Sequence, residues 1–94
     1  MRAISLFELA LFARVLSPAP AAKRRQIAKR ILSEVGIAAN HLLENGRSHP
    51  EFGDGSLMSR CLTLSPRAEP FADDEAFLAS LIVSCKALFD HSKM

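Results

Sequence analysis

The segment from residue 49 to residue 56 concentrates most of the side chains that could do chemistry. It reads His-Pro-Glu-Phe-Gly-Asp-Gly-Ser and combines an imidazole, two carboxylates, two glycines and a hydroxyl. Free amides at Gly55, Ser56 and Leu57, at the start of a predicted helix, could bind an anion. Alternatively, His49 and Asp54 could bind a metal ion. The candidate functional residues of this loop are His49, Glu51, Asp54, Gly55 and Ser56.

A purely structural role competes with both chemical roles of this loop. Gly53 and Gly55 could supply corners with positive φ, Asp54 or Ser56 could cap the next helix, and Phe52 could fill the core. We favour this interpretation, because Asp54 itself would occupy the amides that an anion needs.

Two further kinds of catalytic site are disfavoured. The side chains around the loop offer enough metal-ligand types but match no established ligand spacing; they are His41, Glu44, His49, Glu51 and Asp54. Cys61 and Cys85 both fall on apolar faces of predicted helices, which is typical of inert core thiols. Few chains this short enclose a substrate pocket. We therefore predict a protein that is not an enzyme and holds no metal or cofactor.

A basic run near residue 25 could contact nucleic-acid phosphates. It consists of Lys23, Arg24, Arg25, Lys29 and Arg30. The first 47 residues hold eight Lys and Arg against three Asp and Glu, a formal charge of +5, and the remaining 47 hold four against seven, a charge of −3. A solvated helix face is the favoured interpretation, with some cations paired to Glu69 and residues 73–75, since no aromatic residue interleaves the run.

Apolar spacing predicts the elements that must position these residues, and all of them are helices. The first runs from Leu6 to Leu16 behind a capping box of Ser5 and Glu8. The second and longest runs from Pro18 or Ala19 to Asn45 and ends at Gly46. Its apolar arc contains Ile27, Ala28, Ile31, Leu32, Val35, Ala38, Ala39 and Leu42. Gly36 lies outside this arc and indicates a bend or a close contact.

Two shorter helices complete the prediction. The third follows Asp54 or Ser56 and ends at Ser65-Pro66, and the fourth begins near residues 73–75, where three carboxylates suit the positive end of a helix. The predicted core face of the fourth helix contains Phe77, Leu78, Leu81, Ile82, Cys85, Leu88 and Phe89. The fold class is all-α, a small bundle of three to four helices with a long second helix.

Composition fits one globular domain over residues 1–94. Apolar residues make up 49% of the chain and charged residues 23%, and the formal net charge is +2, all close to globular averages. The apolar run at residues 4–16 resembles a signal peptide, but Glu8 and Arg14 interrupt it, and it is shorter than the roughly 20 residues of a membrane-spanning helix. We expect a cytoplasmic protein that does not enter membranes.

The ten residues from His49 to Met58, following a long Ala/Leu/Arg helix, resemble a family of short uncharacterised alphaproteobacterial proteins. In that family a similar His-Pro-x-aromatic-Gly-Asp-Gly-Ser/Thr-Leu-Met stretch occupies the middle of the chain. The resemblance implies a bacterial helical protein and carries over no activity, cofactor or partner.

The first predicted helix favours an interaction role, because its apolar residues surround it completely. A domain of this size can hardly cover such a helix, so we expect binding to another protein or to a second copy of the chain, as in a homodimer. A nucleic-acid-binding accessory protein that uses the basic run is the alternative.

Overall fold

The computed structural model describes residues 3–68, 70–71 and 73–92. It contains four helices, α1 (Leu6–Leu16), α2 (Ala21–Asn45), α3 (Leu57–Thr63) and α4 (Glu75–Ser92). Within these residues the β-type pairing is a single isolated bridge between His49 and Gly53. The prediction of a small all-α bundle with a long second helix is confirmed.

Helix α1 begins with the predicted capping box. The Glu8 amide donates to Ser5 Oγ (3.2 Å), and the Ser5 amide donates to Glu8 Oε1 (3.3 Å). The second carboxylate oxygen, Glu8 Oε2, accepts from the Met58 amide (3.1 Å) in the first turn of α3. One side chain therefore stabilises the beginnings of two helices.

Helix α2 begins at Ala21 rather than at Pro18 or Ala19, and no side chain caps it. It ends as predicted at Gly46, which adopts φ +71°. Five apolar residues of its predicted arc are buried: Ala28, Ile31, Leu32, Val35 and Ala38. The helix continues through Gly36, and a Cβ placed there would meet nothing within 4 Å. Gly36 therefore marks no close contact.

The hydrophobic core lies where the four helices meet. Leu11, Phe12 and Leu16 of α1 pack with the buried residues of α2, with Leu57 and Cys61 of α3, and with Ala87 of α4. Phe12, Leu16 and Val35 have no exposed surface. The second half of α1 is therefore covered, whereas Leu6 and Phe7 at its beginning are exposed.

Helix α4 faces the core with a side that overlaps the predicted one only in part: Leu88 of the predicted face packs against the core, beside Val83. Its buried residues are Ser80, Ser84 and Ala87. Each serine hydroxyl donates to a carbonyl one turn earlier, Ser80 Oγ to Ala76 O (2.7 Å) and Ser84 Oγ to Ser80 O (2.8 Å). Because these hydroxyls are satisfied within the helix, the small residues can be buried and α4 can pack closely on α1 and α2.

Three large apolar residues of α4 consequently face outwards. Leu78, Ile82 and Phe89 are 42%, 69% and 58% exposed, and Cys85 is also exposed. The prediction that these four residues belong to the core is wrong. It assumed that the largest apolar arc of a helix is the buried one, and in α4 the arc of small residues is buried instead.

An ion pair between Arg67 and Asp74 fixes the start of α4. Asp74 accepts from the Phe77 amide (2.9 Å) and from Arg67 Nη2 (2.7 Å), and the hydrogen bond from Arg67 lowers the pKa of Asp74 below its usual value. Arg67 in turn exchanges hydrogen bonds with Arg14, through Arg14 Nε to Arg67 O (2.8 Å) and Arg67 N to Arg14 O (3.2 Å). The start of α4 is thus held against the end of α1.

Candidate functional sites

Two glycines shape the loop between α2 and α3. Gly53 and Gly55 adopt φ +87° and +90°, as predicted for positive-φ corners. A Cβ on Gly55 would lie 2.8 Å from the Cα of Ala39 in α2. The loop backbone therefore packs directly on α2 at this point, which leaves no space there for a ligand.

Ser56 and Asp54 together build the start of α3. Ser56 Oγ accepts from the Ser59 amide (3.1 Å), so Ser56 is the N-cap, one of the two predicted alternatives. Asp54 Oδ1 accepts from the Ser56 amide (2.9 Å) and from Ser56 Oγ (2.7 Å). With the Met58 amide bound to Glu8, three of the amides at this helix start are already bound within the chain. The arrangement disfavours an anion site.

The His49 ring is built into the loop. Its Nδ1 accepts from the amides of Glu51 (3.0 Å) and Phe52 (3.1 Å). The ring stacks on Phe52 with centroids 4.6 Å apart and contacts the His41 ring edge-on at 5.1 Å. Because Nδ1 is an acceptor, the proton of the neutral ring is assigned to Nε2. Phe52 is half-buried in this stack and is not the core residue that was predicted.

Arg60 connects this stack to α2. Its guanidinium lies 4.8 Å from the Phe52 ring centroid, pairs with Glu34 at 2.9 Å, and donates from Nη1 to Glu51 O (3.3 Å). Arg60 of α3 is therefore joined to α2 by the ion pair with Glu34 and to the loop by the contact with the Phe52 ring.

The predicted metal ligands do not converge. His41 and His49 lie in contact, but the side chains of Glu44 and Glu51 are exposed. Among the residues that the structure describes, no three His, Cys, Asp or Glu side chains are placed to hold a metal ion. The contacts of the loop support helix capping and packing rather than metal binding.

Arg24 is not part of an open basic surface. Its side chain is 9% exposed, and Nε donates to Ala19 O (3.0 Å) and Leu16 O (3.3 Å), while Nη2 donates to Ser17 O (2.9 Å). These carbonyls lie at the end of α1 and in the turn after it. Arg24 therefore binds the carbonyls at the C-terminal end of α1. The run of basic residues in the sequence did not indicate this role.

The other four basic residues of the run form an open surface: Lys23, Arg25, Lys29 and Arg30 are exposed. In residues 3–68, 70–71 and 73–92 none of them pairs with a carboxylate, and Asp74 pairs with Arg67 instead. The predicted partners are Glu69 and residues 73–75: Glu69 lies outside the described residues, and none of residues 73–75 pairs with the run. For residues 73–75 the predicted pairing is wrong.

The outer face of α4 is the candidate site that sequence reasoning missed. It forms an open groove of about 730 Å³, and the described residues that line the groove all belong to α4: Leu78, Leu81, Ile82, Cys85, Lys86 and Phe89. We call this set the outer stripe. The apolar spacing was visible in the sequence, and only its assignment to the core was wrong. The spacing of Ser80, Ser84 and Ala87 on the opposite side was the available signal.

A second cleft separates α2 from the end of α4. It encloses about 460 Å³ and is lined by Lys29, Leu32, Ser33, Ala87, Asp90 and His91. Only Lys29 belongs to a predicted site. Lys29, Asp90 and His91 contribute charged or polar groups to the cleft, and Leu32 and Ala87 contribute apolar surface.

The two cysteines differ in environment. Cys61 is buried in the core, and burial raises the pKa of its thiol to about 12, with Glu8 adding to the shift and Arg60 opposing it. It is therefore a poor nucleophile at neutral pH. Cys85 is exposed on the outer stripe.

The comparisons with known proteins show the family of the chain and no characterised relative. Across the described residues, none of the helices has the length and apolar character needed to cross a membrane. No curated protein and no solved structure matches the chain. A family model described as a domain of unknown function, DUF7742, matches residues 2–88, nearly the whole length. The chain belongs to this DUF7742 family.

Proposed function

We propose that this protein is a non-enzymatic, cytoplasmic protein–protein interaction module whose contact surface is the outer stripe of α4. One observation carries the proposal. Helix α4 buries two serines and an alanine on its inner side, beside the partly buried Val83 and Leu88, and exposes Leu78, Ile82 and Phe89 on its outer side. Burying large apolar side chains is the main favourable term in folding, so a helix that turns them outwards indicates a surface for association.

The shape of the outer stripe favours a protein partner over a small molecule. All six residues that line the groove come from one helix, so the described residues provide no second wall. Small-molecule sites enclose most of their ligand between several elements. A single exposed helix face is suited to another helix or to a groove on a partner protein.

Helix α1 contributes less to the proposed surface than its sequence indicated. Leu6 and Phe7 are 84% and 61% exposed, but Leu11, Phe12 and Leu16 are in the core. Self-association through the whole apolar first helix would require unfolding the bundle. The proposed contact therefore rests on α4. The exposed beginning of α1 lies beside the end of α4, where Leu6 and Leu9 share a cleft with Leu88.

The test uses Cys85 as an attachment point inside the outer stripe. A benzophenone maleimide on Cys85 reacts under light with a protein that covers the stripe. We expect covalent adducts with protein in an extract of the source organism. We expect Leu78→Glu to remove them, because a buried charge without a partner opposes association. Leu43→Glu is the matched control, since Leu43 is 85% exposed at the end of α2.

The outcomes of this labelling experiment are distinct. Adducts that disappear in Leu78→Glu and persist in Leu43→Glu support the proposal. Absence of adducts, or adducts that both variants retain, contradicts it.

The open basic surface supports a second candidate function, a nucleic-acid-binding accessory role. Exposed Lys23, Arg25, Lys29 and Arg30 on consecutive turns of α2 could contact phosphates. The test is the salt dependence of binding to duplex DNA and RNA, with Arg25→Glu plus Arg30→Glu compared with the parent chain. The slope of log affinity against log salt should fall by about 2, one for each lost phosphate contact. Arg24 is left unchanged because it supports the fold, and binding that is insensitive to salt would exclude this function.

A further inference from the structure

The outer stripe has the spacing of a coiled-coil seam. Leu78, Ile82, Cys85 and Phe89 follow one another at intervals of four, three and four residues. This is the a/d spacing with which two helices pack side by side. In α2 the residues with this spacing face the core; they are Ala28, Ile31, Val35 and Ala38. In α4 the seam is exposed.

We infer that the partner of the outer stripe is a second copy of this chain, with the two α4 helices packed antiparallel. This inference rests on the proposed interaction function and specifies its partner. With a two-fold axis midway between residues 82 and 85, Ile82 of each copy lies opposite Cys85 of the other, and Leu78 lies opposite Phe89. Each layer then pairs an a position with a d position, as antiparallel coiled coils require.

Charge selects the antiparallel arrangement over the parallel one. Glu75 is exposed and precedes Ile82 by seven residues, so it occupies the next a position of the seam. In a parallel pair the two Glu75 carboxylates would face each other. In the antiparallel pair each Glu75 lies opposite Ser92 of the other α4, beside one imidazole (His91) and one carboxylate (Asp90), so the two Glu75 carboxylates are kept apart. The antiparallel arrangement also opposes the two helix dipoles.

The size of the seam sets the expected strength of the dimer. Helix α4 has 18 residues, which corresponds to a length of about 27 Å. Two such helices bury an area at the low end for specific protein interfaces. We therefore expect a reversible dimer with a dissociation constant of roughly micromolar size.

Sedimentation equilibrium tests whether a second copy binds the stripe. The parent chain should show a monomer–dimer equilibrium, and Ile82→Glu should weaken it by about tenfold or more. Leu43→Glu, with its unchanged seam, should dimerise like the parent chain. Circular dichroism of both variants verifies that the helices remain folded.

Disulfide trapping tests the orientation. Two variants with one exposed cysteine each are made, Leu78→Cys with Cys85→Ser and Phe89→Cys with Cys85→Ser, and the second cysteine, Cys61, stays buried. Oxidation of the mixture should give mainly the mixed disulfide between residues 78 and 89, which intact-mass spectrometry distinguishes from the two symmetric products. Dominant symmetric disulfides would overturn the antiparallel arrangement.

The failure of this inference can be told apart from the failure of the proposed function. A parent chain that stays monomeric up to roughly 500 μM, well above the micromolar range of weak interfaces, would overturn self-association. The same result with light-induced adducts to a different protein at Cys85 would leave the interaction function standing. A parent chain that neither dimerises nor forms light-induced adducts would overturn self-association and the interaction function together.

Discussion

Helices α2 and α4 carry the same kind of apolar stripe and use it in opposite ways. In α2 the stripe that includes Ile31, Leu32 and Val35 is almost completely buried. In α4 the stripe that includes Ile82 and Phe89 is more than half exposed, and the core side holds serine and alanine flanked by the partly buried Val83 and Leu88.

The difference between the two helices shows what apolar spacing measures. It identifies a helix face that gains free energy when it leaves water, but it does not identify the molecule that covers it. In α2 only one face is apolar, so the core must cover it. In α4 a second face of small residues allows close packing within the bundle, and the larger apolar face remains available to a partner.

The largest expected difference between the helices is between two isoleucines. Ile31→Ala should lower the free energy of unfolding by roughly 3–4 kcal/mol, because it leaves a cavity in the core. Ile82→Ala should change it by less than about 0.5 kcal/mol in the monomer. Urea denaturation at low protein concentration measures both. Equal losses in the two variants would show that α4 does not expose its stripe.

The two neighbouring arginines of α2 should also differ. Arg24→Ala leaves the carbonyls of Leu16, Ser17 and Ala19 without their charged donor, so we expect a loss of about 2–3 kcal/mol. Arg25→Ala removes an exposed side chain and should change stability by less than about 0.5 kcal/mol. Thermal denaturation of the two variants provides the comparison. If the Arg24→Ala variant were as stable as the parent chain, Arg24 would not stabilise the end of α1.

The inner face of α4 should not tolerate a larger residue. Ser84 has no exposed surface, so Ser84→Leu forces α4 away from the bundle and should cost about 1–3 kcal/mol. The adjacent Cys85→Leu enlarges an exposed residue and should have little effect on the monomer. The same denaturation assay distinguishes them. If Cys85→Leu proved the more harmful change, the assignment of inner and outer faces would be reversed.

The smallest expected effect concerns the glycines of α2. Gly36→Ala should stabilise the chain by up to about 1 kcal/mol, because the residue is helical and its Cβ would meet nothing. Gly46→Ala also meets nothing, but φ is +71° there, so it should destabilise by about 1 kcal/mol. Differential scanning calorimetry would show shifts of opposite sign. Destabilisation by Gly36→Ala would indicate a constraint on α2 that its geometry does not show.

Local signals in the sequence predicted local structure well. The capping box of Ser5 and Glu8, the end of α2 at Gly46 and the cap at Ser56 depend on residues within a few positions of each other. The contacts that were not predicted join distant positions, such as Glu8 to Met58 and Arg60 to Glu34. Nothing in a run of charges reveals that one of them points inwards.

The candidate sites were harder to predict for a related reason. The residues of the loop attracted attention by their chemical types, yet His49, Asp54 and Ser56 bind chiefly the backbone around them. The residues of the outer stripe have no distinctive chemistry. Their importance depends on which side of α4 meets the bundle, and that is decided by packing across the whole fold.

Because Cys61 is buried, its thiol is a natural probe of the stability of the bundle. Its thiol lies among residues of α1, α2 and α3, so an alkylating reagent can reach it only when those helices separate. When opening and closing are fast compared with alkylation, the rate of alkylation at Cys61 therefore reports the fraction of chains that are open. The same measurement made inside living cells would report the stability of the native state there without a mutation.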